Sequence, residues 1–133
     1  MTERRKLVGV VYSDLGEGAS FMSLRWVQTG LQEKLGFSPY PATFNVRLES
    51  DKEVARWQEI QREKSGMELS PVDSSFCHAR IFPVEIWGRL RGAVLFPEVE
   101  DYPANKLEVI APVRIKEEFQ VRDGDRITLE FLT

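Results

Sequence analysis

The hydrophobic residues near the start of this chain fall in short runs with the period of a β-strand. Residues 6–13 (KLVGVVYS) are rich in β-branched side chains, and residues 43–48 (TFNVRL) alternate apolar and polar positions. β-branched residues and a period of two both favour extended structure. The pattern therefore predicts a first strand at 6–13 and a second, half-buried strand at 43–48 that carries a polar face.

Two other segments have the helical period of three to four residues. In residues 25–35 the apolar positions recur at these steps, and Gly36 follows where a C-terminal cap would stand. The second segment opens with residues 50–53 (SDKE), which have the spacing of a capping box. We predict one helix over 25–35 and another that ends by residues 65–66. Residues 14–18 (DLGEG) are expected to break any regular element.

From Phe76 onward the apolar runs are short and closely spaced, which is typical of antiparallel strands joined by tight turns. Residues 113–119 predict one or two helical turns, and residues 123–124 predict a tight turn into the last strand. The regular strand–helix alternation of a doubly wound sheet is absent. We predict a mainly β fold, a small barrel or an α+β fold with six or seven strands and one or two helical insertions. The later strands are expected at 77–87, 90–96, 107–110 and 126–132.

Composition places the chain among globular domains. It has 133 residues, of which 42% are hydrophobic, and its net charge is −3. This length predicts a single domain over residues 1–133. The slight excess of acid argues against a surface that binds nucleic-acid phosphates. We find no apolar run near the about 20 residues of a membrane span and no export signal, and we expect a cytoplasmic protein that acts as a monomer.

Signatures of nucleophilic or metal catalysis are scarce in this sequence. Cys77 and His78 are the only residues of their types, and neighbours on a strand point to opposite faces, which disfavours a catalytic dyad. A lone cysteine also fits a reducing compartment. The chain has neither a GxxxxGK[ST] loop nor a GxGxxG turn, so the two commonest nucleotide-binding signatures are missing.

Two polar segments nevertheless have the composition of a binding site. After the first strand, Gly16 and Gly18 are separated by one residue, and glycine lets backbone N–H groups converge on a phosphate. A plain glycine turn is the alternative. Thr43 and Asn45 share one strand face, and their neutral oxygens are acceptable ligands for Mg²⁺. An ordinary polar strand face is the alternative, and neither segment alone identifies a function.

Four motifs taken together are similar to those of a known family. They read SDLGEG (13–18), LGFSPYPATFN (35–45), LEVIAPVRIKEEF (107–119) and DGD (123–125). In this order and spacing they resemble the archaeal-type CTP-dependent riboflavin kinases, which convert riboflavin to FMN. The resemblance runs nearly the whole chain and is weakest across 51–75. It implies a small six-stranded β-barrel of the cradle-loop type.

The resemblance also implies roles for individual residues. Thr43 and Asn45 match ligands of Mg²⁺, Glu108 matches a glutamate that contacts the flavin, and Glu100 falls near the FMN phosphate. The expected ligands are therefore riboflavin or FMN, CTP or CDP, and Mg²⁺. Nucleotide binding is implied for Leu15, Gly16, Glu17, Gly18, Ala19, Ser20, Val113, Arg114, Ile115 and Lys116.

Some residues depart from the family pattern and leave alternatives to kinase activity open. Asp14 replaces a glycine and adds a negative charge beside a site for polyanions. Ala42 replaces a glycine at which a positive φ would penalise alanine, and Glu100 replaces a threonine. The first alternative is a non-catalytic relative that binds a flavin or a nucleotide. The second is a barrel that contacts protein or nucleic acid.

Overall fold

The described part of the chain folds into one antiparallel sheet accompanied by helices. The computed structural model describes residues 5–13, 17–64, 66–71 and 78–132. Within these ranges the chain forms seven strands and four helices. In chain order they are β1 (Arg5–Tyr12), α1 (Glu17–Met22), α2 (Arg25–Leu35), β2 (Phe44–Arg47), α3 (Asp51–Lys64), β3 (Met67–Leu69), β4 (Ala79–Ile86), β5 (Leu90–Pro97), β6 (Lys106–Ile110), α4 (Ile115–Phe119) and β7 (Arg126–Phe131).

Six of the strands close into an antiparallel barrel. The sheet runs in the order β3-β4-β5-β6-β2-β1-β7, and β4 also pairs with β7. Strand β4 contacts two strands along one edge because residues 79–81 pair with β3, whereas residues 84–86 pair with β7. The barrel therefore consists of β4, β5, β6, β2, β1 and β7, and β3 extends it at one edge. The predicted six-stranded barrel is confirmed.

The barrel interior is filled by apolar side chains from all six strands and by the apolar face of α3. Trp57 of α3 is 1% exposed, and its ring centroid lies 5.1 Å from that of Phe82 and 5.3 Å from that of Phe131. Close aromatic pairs of this kind stabilise a core beyond the area that they bury. Helix α3 is thus a part of the barrel core.

A second apolar cluster lies on the opposite face of the sheet, under helices α1 and α2. Met22 of α1 and Leu31 of α2 pack in one cluster with Leu95 of β5 and Ile110 of β6. Both faces of β5 and β6 are covered as a result. This double burial explains why their sequences are nearly continuous apolar runs rather than alternating ones.

Most predicted elements occur within one or two residues of their expected bounds. Helix α2 spans Arg25–Leu35, and Gly36 caps it with a φ of 80°, donating its N–H to the Gln32 carbonyl at 2.9 Å. The Glu53 N–H donates to Ser50 Oγ at 3.2 Å, as the capping-box spacing predicts. The predictions for Phe76 and Cys77 lie outside the described residues.

Two elements were not predicted from the sequence. Strand β3 has three residues, which is too short for a recognisable period. Helix α1 spans Glu17–Met22, where the glycines were expected to break any regular element. That expectation was wrong for Gly18, which lies inside the helix. Within the described ranges, no helix is both long enough and apolar enough to cross a bilayer.

Replacing Trp57 tests the role of α3 in the core. We expect Trp57→Ala to lower the free energy of unfolding by about 3–5 kcal/mol, because it leaves a cavity beneath Phe82 and Phe131. Urea denaturation followed by circular dichroism measures this loss. Gln58→Ala, at the next and exposed position of the same helix, is the matched control and should change stability by less than about 0.5 kcal/mol. A loss below about 1 kcal/mol for Trp57→Ala would show that α3 is not part of the core.

Candidate functional site

A cleft of about 190 Å³ opens where the end of β1 meets α1, the segment before β2 and the start of α4. It is lined by residues from five separate parts of the chain. Every charged side chain among these described lining residues is basic, which favours an anionic ligand. The lining comprises Tyr12, Ser13, Gly18, Ala19, Tyr40, Ala42, Thr43, Phe44, Asn45, Val109, Ala111, Val113, Arg114, Ile115 and Lys116.

Thr43 and Asn45 face this cleft because of the alternation of β2. Phe44 and Val46 turn into the barrel core, so the residues between and before them turn outward. The Thr43 hydroxyl donates to Asn45 Oδ1 at 3.5 Å, and both side chains are half-buried. The sequence prediction that these two side chains share one face is therefore confirmed.

The same pair fits a magnesium ion. Mg²⁺ prefers oxygen ligands at about 2.1 Å and usually takes only one or two from the protein, with water and phosphate completing its shell. The separation of 3.5 Å between the two oxygens is less than twice that ligand distance, so one ion can reach both. Within the described ranges no cluster of three or more His, Cys, Asp or Glu side chains offers a different metal site.

Gly18 allows α1 to lie directly against Thr43. A Cβ atom added at Gly18 would overlap Thr43 Oγ1 and would lie 3.0 Å from Thr43 Cγ2. The absence of a side chain is therefore a packing requirement at this position. Gly18 acts through the Thr43 side chain, and not only through the freedom of its backbone, which was the property inferred from the sequence.

Tyr12, Asn45 and Glu108 form a polar row across three neighbouring strands. Asn45 of β2 lies directly opposite Tyr12 of β1 and directly opposite Glu108 of β6. Side chains at such paired positions lie on the same face of the sheet about 5 Å apart at their Cβ atoms. The residue predicted to contact the flavin is thus next to a residue predicted to bind the metal.

Tyr102 holds the Glu108 carboxylate. Its hydroxyl donates to Glu108 Oε2 at 2.6 Å, and its ring makes an edge contact with Phe96 at a centroid distance of 5.5 Å. Glu108 is only 8% exposed, and it is the one buried charged residue among those described. A buried carboxylate requires such a hydrogen bond, because an unpaired one costs several kcal/mol of desolvation.

Lys116 belongs to a network that joins three segments of the chain. Its Nζ donates to Ser13 Oγ at 3.1 Å and to Asp123 Oδ1 at 3.1 Å. The Ser13 hydroxyl donates to Asp123 Oδ2 at 2.7 Å. The hydrogen bond from Ser13 is the largest cause that lowers the pKa of the Asp123 carboxyl below its ordinary value, and the hydrogen bond from Lys116 is the next.

The β4–β5 hairpin supports α4 from outside the cleft. The Trp87 ring makes an edge contact with Phe119 of α4 at 5.3 Å, and the Arg89 guanidinium lies 4.6 Å from the centre of the same ring. At the other end of α4, Arg114 donates to Glu117 Oε1 at 2.8 Å, which raises the pKa of the guanidinium. Helix α4 is therefore held against the hairpin at Phe119, while Ile115 packs in the barrel core and Lys116 bonds to Ser13.

Comparison with known proteins identifies the family. A model of the family CTP-dep_RFKase, described as domain of unknown function DUF120, matches residues 11–131. The chain belongs to this family. The family prediction made from the four motifs is confirmed.

Several archaea have relatives of this chain, and these relatives are named riboflavin kinase. The chain is 35% identical to the one from Archaeoglobus fulgidus over 130 residues, covering 96% of this chain and 54% of the relative. It is 38% identical to the one from Pyrobaculum calidifontis over 132 residues, covering 94% of this chain and 59% of the relative. The chain thus spans a little over half the length of these relatives.

The structure brings most of the predicted CTP-dep_RFKase site residues into one cleft, but not all of them. The two segments predicted to bind nucleotide meet through Gly18, Ala19 and residues 113–116. Ser20 is exposed on α1 and does not line the cleft. Asp14, Leu15 and Gly16 lie outside the described residues, as does the side chain of Glu17. Glu100 is exposed in a turn beyond β5, and it and Glu108 lie outside the cleft lining.

Two further observations refine the sequence analysis. Ala42 does not have the positive φ that would penalise alanine. The described non-glycine residues with positive φ are Trp87, Asp101 and Gln120. Tyr40, which is 38% exposed, lines the cleft, and it was not among the site residues predicted from the sequence. Its position between two prolines, in the same motif as Thr43, was the available signal.

The close packing of Gly18 on Thr43 predicts the effect of adding one methyl group. We expect Gly18→Ala to lower the free energy of unfolding by about 1–3 kcal/mol through overpacking, although alanine favours helix elsewhere. Gly30→Ala in α2 is the matched control, because a Cβ there meets only the flexible end of Leu69. Chemical denaturation measures the free energy of unfolding of both variants and of wild type. Equal stability changes for the two would contradict the tight contact at Gly18.

Proposed function

We propose that this protein is a riboflavin kinase that transfers the terminal phosphoryl group of CTP to the 5′-hydroxyl of riboflavin, with Mg²⁺ as cofactor. One observation carries the proposal. In a member of the CTP-dep_RFKase family, one cleft combines two neutral polar side chains, Thr43 and Asn45, with two basic ones, Arg114 and Lys116. Metal ligands and cations at the same opening suit a polyphosphate. The relatives named riboflavin kinase support the choice of reaction.

The nucleotide is proposed to lie between α1 and the 113–116 segment. Tyr40 and Val113 both line the cleft, and their side chains are 38% and 36% exposed. An exposed aromatic face beside an aliphatic side chain offers a surface on which a base can stack. Arg114 and Lys116 on the same segment then face the phosphates. The proposed CTP preference rests on the family resemblance.

Thr43 and Asn45 are the proposed ligands of Mg²⁺. The rest of the site is proposed to align the riboflavin hydroxyl with the terminal phosphate. The ion would neutralise charge on the phosphate oxygens. In the reaction a bond forms between the riboflavin 5′-oxygen and the terminal phosphorus, the bond from that phosphorus to the bridging oxygen breaks, and FMN, CDP and a proton result. Phosphoryl transfer depends mainly on positioning and charge neutralisation, so a site with no histidine among its described residues is sufficient.

The flavin is proposed to bind along the row that ends at Glu108. Glu108 lies opposite Asn45, so a flavin held there would present its hydroxyl near the proposed metal ligands. Glu100 is proposed, from the family resemblance, to lie near the FMN phosphate. Its carboxylate is exposed, and water and salt screen exposed charges strongly, which supports tolerance of the acid at this position.

The first test is an assay of the purified protein. Incubation with riboflavin, Mg²⁺ and either CTP or ATP, followed by chromatography, should give FMN mainly with CTP. Omission of Mg²⁺ and addition of a chelator provide the controls. Flavin or nucleotide binding with no FMN from any triphosphate would identify a non-catalytic relative instead. Absence of both binding and turnover would contradict the proposed site.

The metal proposal predicts a specific loss at Asn45. We expect Asn45→Ala to abolish Mg²⁺-dependent FMN formation, because it removes one of the two oxygen ligands. Asn45→Asp keeps an oxygen at this position and should retain part of the activity. Circular dichroism and the melting temperature of both variants verify the fold. Unchanged FMN formation by Asn45→Ala over a range of Mg²⁺ concentrations would remove Asn45 from the metal shell.

A further inference from the structure

Asp123 lies outside the cleft lining, yet it bonds to two residues that form the cleft. Its Oδ1 accepts from Lys116 Nζ at 3.1 Å, and its Oδ2 accepts from Ser13 Oγ at 2.7 Å. Ser13 Oγ in turn accepts from Lys116 Nζ at 3.1 Å. The three groups form a closed triangle in which each contacts the other two. Lys116 is thereby held at the end of β1.

The turn that carries Asp123 is fixed independently of Lys116. Gly124 donates its N–H to the Val11 carbonyl at 2.8 Å, and Val11 donates its N–H to the Asp125 carbonyl at 2.8 Å. Asp125 Oδ2 also accepts from the Arg122 N–H at 2.7 Å. The two bonds with Val11 hold the turn against β1, and the third stabilises the turn itself, so the backbone that carries Asp123 is fixed.

This attachment changes what Lys116 can offer a ligand. A free lysine side chain has many rotamers, and ordering it upon binding opposes affinity. In the part of the chain that the structure describes, its contacts use two of three N–H donors, which leaves one for an anion. The Asp123 charge itself repels an anion, so two effects of opposite sign compete. Lys116 lines the cleft whereas Asp123 does not, so the lysine is closer to a ligand of the cleft, and this favours the ordering effect over the repulsion.

We propose that Asp123 is a positioning residue for nucleotide binding, which holds Lys116 and Ser13 so that the Lys116 ammonium is ordered toward the triphosphate. The proposal rests on the proposed function, because it takes the ligand of the cleft to be a nucleoside triphosphate. It adds a residue of the D-G-D turn that itself touches no ligand. The two carboxylates of this turn then have separate tasks, since Asp125 bonds only to the backbone of the turn in the described contacts.

The test is a double-mutant cycle on CTP affinity. Calorimetry in Mg²⁺ buffer without flavin compares wild type, Asp123→Asn, Lys116→Met and the double variant. We expect Asp123→Asn to weaken CTP binding on the order of fivefold in the wild-type background, and to have no effect when Lys116 is already absent. Asp125→Asn is the matched control from the same turn. It removes the same charge but keeps an oxygen that accepts from the Arg122 N–H, so it should leave CTP affinity unchanged.

A second probe and a second variant keep the outcomes distinct. Inorganic tripolyphosphate tests the same contact with Lys116 but carries no base. If wild type binds tripolyphosphate and not CTP, and the cycle gives the expected result with tripolyphosphate, the role of Asp123 is supported and CTP is contradicted as the donor. If Asp123→Asn does not fold, Ser13→Ala in the same cycle replaces it, with a smaller expected loss.

Three results would overturn the proposal. Equal or tighter binding by Asp123→Asn would mean that the carboxylate restrains or repels the ligand. An equal loss with and without Lys116 would mean a structural effect on the turn. Failure of wild type to bind either CTP or tripolyphosphate would overturn both this role and the proposed function.

Discussion

Closure of the sheet is the constraint on which the cleft depends. Strand β7 pairs with β1 along six positions and with β4 along three, and these pairings join the two ends of the sheet. The turn before β7 is carried to the end of β1 as a consequence, and Ser13 and Asp123, 110 residues apart in sequence, become neighbours. The β1–β7 pairing sets this position, and the β4–β7 pairing closes the same strands into the barrel. The antiparallel pairing that stabilises the barrel therefore also assembles the site.

The two faces of β2 divide stability from chemistry. Phe44 and Val46 fill the barrel, while Thr43 and Asn45 turn outward into the cleft. Elsewhere the outer face is covered by α1 and α2, but near the cleft the covering helix contributes Gly18, which leaves room for Thr43. The same helix thus seals an apolar cluster at one end and forms a cleft wall at the other. The close contact between Gly18 and Thr43 makes position 18 sensitive to added volume.

Two acids of the described chain, Asp123 and Glu108, accept hydrogen bonds close to the cleft. Asp123 accepts from Ser13 and Lys116, and Glu108 accepts from the Tyr102 hydroxyl. Bonding of this kind stabilises the ionised carboxylates. Arg114 and Lys116 are the charged side chains among the described residues that line the cleft. A chain with a net charge of −3 can therefore hold an anion, because the local arrangement of charges decides and the total does not.

Most of the elements and the family follow from the sequence alone. Periodicity and capping are local properties, so α2, α3 and the longer strands follow from neighbours in the chain, and ordered motifs carry the resemblance. The short elements α1 and β3 did not follow, because contacts with distant strands stabilise them more than their own residues do. Three features became visible only in three dimensions: Glu108 lies opposite Asn45, Tyr40 lines the cleft, and Asp123 bonds to Lys116. These are contacts between segments far apart in sequence, and strand register and barrel closure, which no local pattern encodes, set them.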